Sequence, residues 1–183
     1  MILNEAPDAV ILATGGVPLI PDIPGIDGDR VVTAKALLRG EVECGQRVLI
    51  VGGNMVGVET ADFLGEHHHD VTVVEMTERI AADVAHQALP MLMDRLAHYR
   101  VCLMPETKVM AFTGDGAVVD CAGSEMTLAG FDTIVLAMGC ASYNPLQAEL
   151  EGKVPQLFVI GDAKAARQAL DATEEGAKTA LAL

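Results

Sequence analysis

A chain of 183 residues, 51% of them apolar, is long enough to bury a good core in one domain or two small ones. Aromatic residues make up only 3% and Trp is absent, so that core must be aliphatic. A net charge of −14 with no basic cluster to offset it argues against nucleic acid and anionic membrane surfaces as partners. No apolar run approaches the ~20 residues of a membrane span. The opening Met-Ile-Leu-Asn-Glu-Ala-Pro lacks the basic region and apolar stretch of a secretory signal. Cys44, Cys102, Cys121 and Cys140 are widely spaced with no C-x-x-C, which argues for a reducing compartment and against a zinc site or dithiol pair. They are expected as small core residues, and the nine methionines as core fillers. The expectation is a soluble, cytoplasmic chain whose oligomeric state, homo-oligomer included, is left open.

The first predicted element is a buried strand from Asp8 to Thr14, ending in Gly15-Gly16. Pro18, Pro21 and Pro24, with Gly25 and Gly28, exclude helix or central strand and mark a crossing between units. A short helix over about 33–39 precedes Gly40. Then come a strand at 47–52, a helix at about 55–66, a strand at 71–75, a helix at about 84–98 and a strand at 101–104. Pro90 puts the true start of the second of these helices near that residue, or a kink there. His67-His68-His69 falls where the first helix should end and reads as a solvated loop, since adjacent helical residues point apart.

From Lys108 to about Leu128 the period changes to two, with hairpin signals at Gly114-Asp115-Gly116 and Gly123-Ser124. This predicts a small antiparallel meander. A buried strand at 132–137 ends at Gly139. Another at 156–160 ends in Gly161-Asp162, and an amphipathic helix over about 165–183 closes the chain. The fold class predicted is α/β: a Rossmann-like parallel sheet with a β-meander crossover.

The junction of strand 47–52 and the following helix is the richest signal. Val48-Leu49-Ile50-Val51 runs into Gly52-Gly53-Asn54-Met55-Val56-Gly57. A glycine turn that opens directly into a helix aims several backbone N–H groups at one spot, at the positive end of the helix dipole. That spot suits a pyrophosphate. About twenty residues on, Val71-Thr72-Val73-Val74 ends in Glu75, placed to accept hydrogen bonds from a ribose 2′-OH. The spacing departs from G-x-G-x-x-G, because Asn54 stands at the middle glycine. Asn best tolerates left-handed backbone angles, so the turn is expected to survive. A carboxylate at Glu75 would repel a 2′-phosphate, so NADH is favoured over NADPH.

Further residues carry a family resemblance. Ile11-Leu12-Ala13-Thr14-Gly15-Gly16 with Pro18, Pro21 and Ile23-Pro24-Gly25 resembles the Ala-Thr-Gly crossover of pyridine nucleotide–disulfide oxidoreductase folds, where the chain leaves an FAD domain for an NAD(P) domain. Thr133 to Asn144 is similar to the return crossing, and Leu157 to Asp162 to the Gly-Asp motif whose carboxylate contacts the FAD ribitol. Glu59 matches the acid just after the NAD glycine turn. Val31-Val32-Thr33-Ala34, Gly45-Gln46-Arg47-Val48 and Val74-Glu75-Met76 look most like the C-terminal region of NADH:flavin oxidoreductases, the old-yellow-enzyme-like relatives of 2,4-dienoyl-CoA and 2-enoate reductases.

The resemblance implies partial FAD-type elements at 1–44 and 138–183 around an NAD(H)-binding domain at 45–137. It implies a piece of a longer polypeptide, whose barrel with FMN, iron–sulfur cluster and first FAD glycine turn lie elsewhere. The cofactors implied are NAD(H) and, in the intact protein, FAD. Thr14 and Gly15 fall in the crossover motif. Gly139 would approach the nicotinamide half, Glu59 would point toward its end, and Gly161 with Asp162 would hold FAD. Asp162 also suits a helix N-cap, and Glu59 suits the first-turn position favoured by the helix dipole. Hydride transfer from NADH to a flavin needs no protein nucleophile, so no catalytic residue and no metal are expected. The competing readings are a non-catalytic ADP-holding module, as in trimethylamine-dehydrogenase-like relatives, and a small NAD-sensing regulator.

Overall fold

Apolar runs buried on one face or on both build the elements in the computed structural model, which describes residues 2–183. In chain order these are β1 (Ala9–Leu12), β2 (Gly16–Pro18), β3 (Val31–Thr33), α1 (Ala34–Leu38), β4 (Arg47–Val51), α2 (Met55–Glu66), β5 (Asp70–Val74), α3 (Leu89–His98) and β6 (Cys102–Met104). There follow β7 (Thr107–Thr113), β8 (Gly116–Cys121), β9 (Ser124–Leu128), β10 (Thr133–Leu136), β11 (Cys140–Ser142), α4 (Gln147–Leu150), β12 (Gln156–Val159) and α5 (Ala169–Ala182). Short 3-10 turns occupy Ile2–Glu5 and Gly161–Ala163. The chain divides into two compact units, one of Ile20–Gly139 and one joining the residues up to Leu19 with Cys140–Leu183.

In the unit 20–139 a five-stranded sheet has the order β3-β10-β4-β5-β6, every pair parallel. Strand β4 lies inside the sheet and is buried on both faces, which explains its unbroken apolar run. Val48 and Ile50 face one way, into a cluster with Val58, Ala61 and Leu64 of α2 and Leu92 and Leu96 of α3. Leu49 and Val51 face the other way, toward Val109, Phe112, Ala117 and Val119 of the meander. Helices thus cover one face, and the antiparallel sheet β7-β8-β9 covers the other. The meander falls where its period predicted.

In the second unit β1 and β12 pair in parallel, and β2 and β11 form a short antiparallel ribbon. Three expectations need correction and one is met. Residues 20–44, grouped by sequence with the first flank, cluster with the residues up to Gly139 because β3 joins their sheet beside β10. Helix α3 begins at Leu89, near Pro90 as expected, so the proline falls in the first turn, where a missing N–H breaks no helical bond. Helix α5 begins at Ala169, because 161–163 form a 3-10 turn and Gln168 makes a capping box with Asp171. None of the four cysteines is fully buried: Cys102 and Cys140 are exposed, Cys44 and Cys121 half-buried, and all four are free thiols.

Candidate nucleotide-binding site

The turn between β4 and α2 is shaped by close backbone packing. Gly52 has φ +108°, and a Cβ there would stand 2.3 Å from the Ala137 carbonyl oxygen. At Gly57 a Cβ would lie 1.8 Å from the Gly52 carbonyl oxygen, so only glycine lets α2 sit this close to the turn. Asn54 holds no left-handed angle, contrary to expectation; it is extended, with φ −71° and ψ −179°. Its value lies in its side chain. Asn54 Oδ1 accepts from the Gly57 N–H at 3.1 Å and caps α2, while Nδ2 donates to the Ala137 carbonyl at 2.6 Å.

Glu75 follows β5 directly and turns toward the glycines. Its Oε2 accepts from the Gly53 N–H at 2.8 Å, and its Oε1 accepts from both the backbone N–H and the hydroxyl of Thr77 at 2.9 Å. The Met55 N–H donates to Asp83 Oδ1 at 2.7 Å. The amides of Asn54 and Val56 have no hydrogen-bond partner among the described residues. The structure therefore gathers Gly52 to Gly57 and Glu75 into one cluster, with two unclaimed donors at the positive end of a twelve-residue helix.

Glu59 is exposed and is the fifth residue of α2, past the first turn that the dipole argument assumed. Gly139 has φ +95° with open space where a Cβ would stand. Thr77 and Asp83 were not singled out from sequence. A hydroxyl two residues beyond the acid was the available signal for Thr77. Asp83 adjoined a stretch read as helix, which hid it.

In the other unit, Gly15 has φ +79° and its carbonyl accepts from the Tyr143 N–H at 2.9 Å, while the Thr14 hydroxyl donates to the Tyr143 carbonyl. These bonds extend the ribbon of β2 and β11. Gly161 has φ +61° and donates its N–H to Glu175 Oε2 at 2.8 Å. Asp162 Oδ1 accepts from the Arg167 N–H at 3.2 Å, so it caps a local turn rather than α5. Glu175 Oε1 also accepts from Arg167 at 2.6 Å and from Lys164 at 3.1 Å. The Arg167 guanidinium, then the Gly161 amide and Lys164, hold the Glu175 carboxyl down at about 2, well below the usual carboxylate range.

His67 and His68 are exposed, while His69 Nδ1 lies 2.9 Å from the Gly45 carbonyl and its ring lies 3.7 Å from the Cys44 thiol, whose pKa burial pushes up. Among the described residues no group of three or more His, Cys, Asp or Glu could hold a metal ion, and no helix is long and apolar enough to cross a membrane.

The family model for pyridine nucleotide-disulphide oxidoreductases matches residues 4–176. This chain belongs to that family. Its Rossmann-like units are those of the family's NAD(P)- and FAD-binding fold. A metal reductase of Desulforamulus reducens is 32% identical over 201 residues, covering 94% of this chain and 30% of the relative. An NADH oxidase of Thermoanaerobacter brockii is 31% identical over 180 residues, covering 96% of this chain and 28% of the relative. The solved structure of a 2-naphthoyl-CoA reductase in complex with 2-naphthoyl-CoA superposes with a TM-score of 0.93 at 29% identity, covering all of this chain and 28% of that one. This pyridine nucleotide-disulphide oxidoreductase chain thus spans less than a third of the length of these relatives.

Proposed function

We propose that this chain is the NADH-binding part of a flavin-dependent oxidoreductase, passing hydride toward an FAD held by a longer polypeptide. The observation that carries the reading is the Glu75 carboxylate seated against the Gly52–Gly57 turn, beside the unclaimed amides of Asn54 and Val56. The donor set fits the group. Two amides and a helix dipole receive the pyrophosphate, and Glu75, already aimed by Thr77, accepts from the adenosine ribose. NADH, when bound, supplies the hydride. The residues of this chain bind and orient it: Gly52, Gly53 and Gly57 keep the backbone close, while Met55 and Val56 present first-turn amides. Gly139 leaves room for the nicotinamide half, and Glu59 lies on the exposed face of α2. Thr14, Gly15, Gly161 and Asp162 are proposed as this chain's share of the FAD site, with Asp162 Oδ2 the free acceptor for a ribitol hydroxyl. The chain acts in the cytoplasm and needs no metal.

A second reading, a module that holds ADP without chemistry, is favoured by the uneven build of the site. Each contact found at the glycine turn and Glu75 serves the adenosine and pyrophosphate end, while Gly139 and Glu59 make no specific contact. Calorimetry of the chain with NADH, NADPH and ADP separates the two. NADH at least about tenfold tighter than ADP, a gap of ~1.4 kcal/mol, supports the first reading. Equal affinities support the second, and no binding of any nucleotide removes both.

A further inference from the structure

One donor at the start of α2 is already in use. The Met55 N–H, which lies in sequence between the two amides proposed to receive the pyrophosphate, donates to Asp83 Oδ1 at 2.7 Å. Asp83 belongs to the irregular segment 76–88, and that segment meets the turn at a second point, where the Ala81 N–H donates to the Gly53 carbonyl at 2.7 Å. Ala81 is 1% exposed and is held at φ +57°, a left-handed angle that alanine rarely adopts. Ile80 Cδ1 lies 3.5 Å from where a Cβ on Gly53 would stand, so the residues before Asp83 are anchored on the turn itself.

Asp83 differs from its anchors. It is exposed and forms no salt bridge among the described residues, so the side chain can leave Met55 without breaking an ion pair, while Val84, half-buried against the core, draws the segment back when the site is empty. A carboxylate on a first-turn amide makes the kind of charge-assisted bond that a phosphate oxygen makes there. The two anions cannot share one N–H, and side by side they repel.

We propose that Asp83 is an internal anion that latches segment 82–88 over the start of α2 and must let go of Met55 when a dinucleotide binds. The proposal rests on the dinucleotide reading and adds a restraint on it: affinity is set lower than the turn alone would give, and the segment beyond Ala81 opens as nucleotide enters. Ile80 and Ala81 stay in place and act as the hinge.

The test is NADH calorimetry on the 183-residue chain as wild type, Asp83→Ala and Asp83→Asn, with hydrogen exchange over 82–88 in the presence and absence of NADH. Asp83→Ala should bind NADH roughly three- to tenfold more tightly than wild type, the range for one anion at a helix start. Asp83→Asn, which keeps an acceptor oxygen without the charge, should fall between. Exchange over 82–88 in wild type should quicken when NADH is added. Unchanged or weaker NADH affinity in both folded variants, or protection of 82–88 by NADH, overturns the latch while leaving the dinucleotide reading intact. If circular dichroism shows that Asp83→Ala does not fold, Asp83→Asn decides alone by the same criterion. No NADH binding by any of the three chains overturns the dinucleotide reading, and the latch falls with it.

Discussion

The unit 20–139 and the unit built from the two ends of the chain differ most in how their elements are covered. In the first, Val48, Leu49, Ile50, Val58, Val73, Leu96, Ile134 and Val135 are all 0% exposed, and both faces of the parallel sheet are packed. In the second, the buried apolar side chains are few, Leu12, Leu150 and Ala163, and α5 buries none of its residues. Leu170 is 75% and Leu181 89% exposed. A two-stranded parallel pair is marginal without cover, because parallel strands need both faces packed. Hydrophobic burial therefore holds the first unit. In the second, the polar ring of Glu175 with Gly161, Lys164 and Arg167 ties α5 to the 161–163 turn.

That contrast can be broken in four ways. Leu49→Ala should have the largest effect, destabilising unit 20–139 by about 2–5 kcal/mol in chemical denaturation, while Leu170→Ala should stay within ~0.5 kcal/mol. Comparable losses at the two sites would erase the contrast. Gly57→Ala drives a methyl into the Gly52 carbonyl and should cost at least about 1–3 kcal/mol, with weakened nucleotide binding.

A third test uses acid. The Glu175 carboxyl is lowered from its ordinary value near 4.5 to about 2, so its contribution to stability is present above the ordinary value and lost as pH falls toward 2. Methyl signals of Leu157 and Val159, followed between pH 6 and 2, should show this loss, and Glu175→Gln should flatten the dependence in that range. Signals of Leu49 and Val135 should not follow the same titration. The smallest effect belongs to Lys178→Ala, which removes an exposed i,i+4 pair with Glu174 and should leave the melting temperature unchanged.

Much of unit 20–139 was legible because its signals are local. The run Val48–Val51 and the glycines after it fix strand, turn and helix within a dozen residues, and α2 spans the 55–66 that its pattern predicted. The meander was legible through its period of two and its turn glycines. The ribbon of β2 and β11 was not, because each strand has three residues and its partner is over a hundred positions away. Pro18 argued only against helix or a central strand there, and a two-stranded ribbon accommodates it because an edge needs no amide from it. At the candidate site, Glu75 was legible from spacing alone. The backbone angle of Asn54 was misjudged because the side chain's capping geometry, which holds the residue extended, was not considered. Asp83 was invisible, since its contact with Met55 depends on where an irregular segment returns.

The proposed cofactor role is tested most directly by amide NMR of the chain titrated with NADH. The unclaimed N–H groups of Asn54 and Val56, together with Gly53 and Glu75, should show the largest shifts and saturate together, and Glu75→Arg should transfer that response to NADPH. Shifts concentrated elsewhere in the chain, or an Asn54 and Val56 pair that stays unmoved at saturating NADH, would contradict the account.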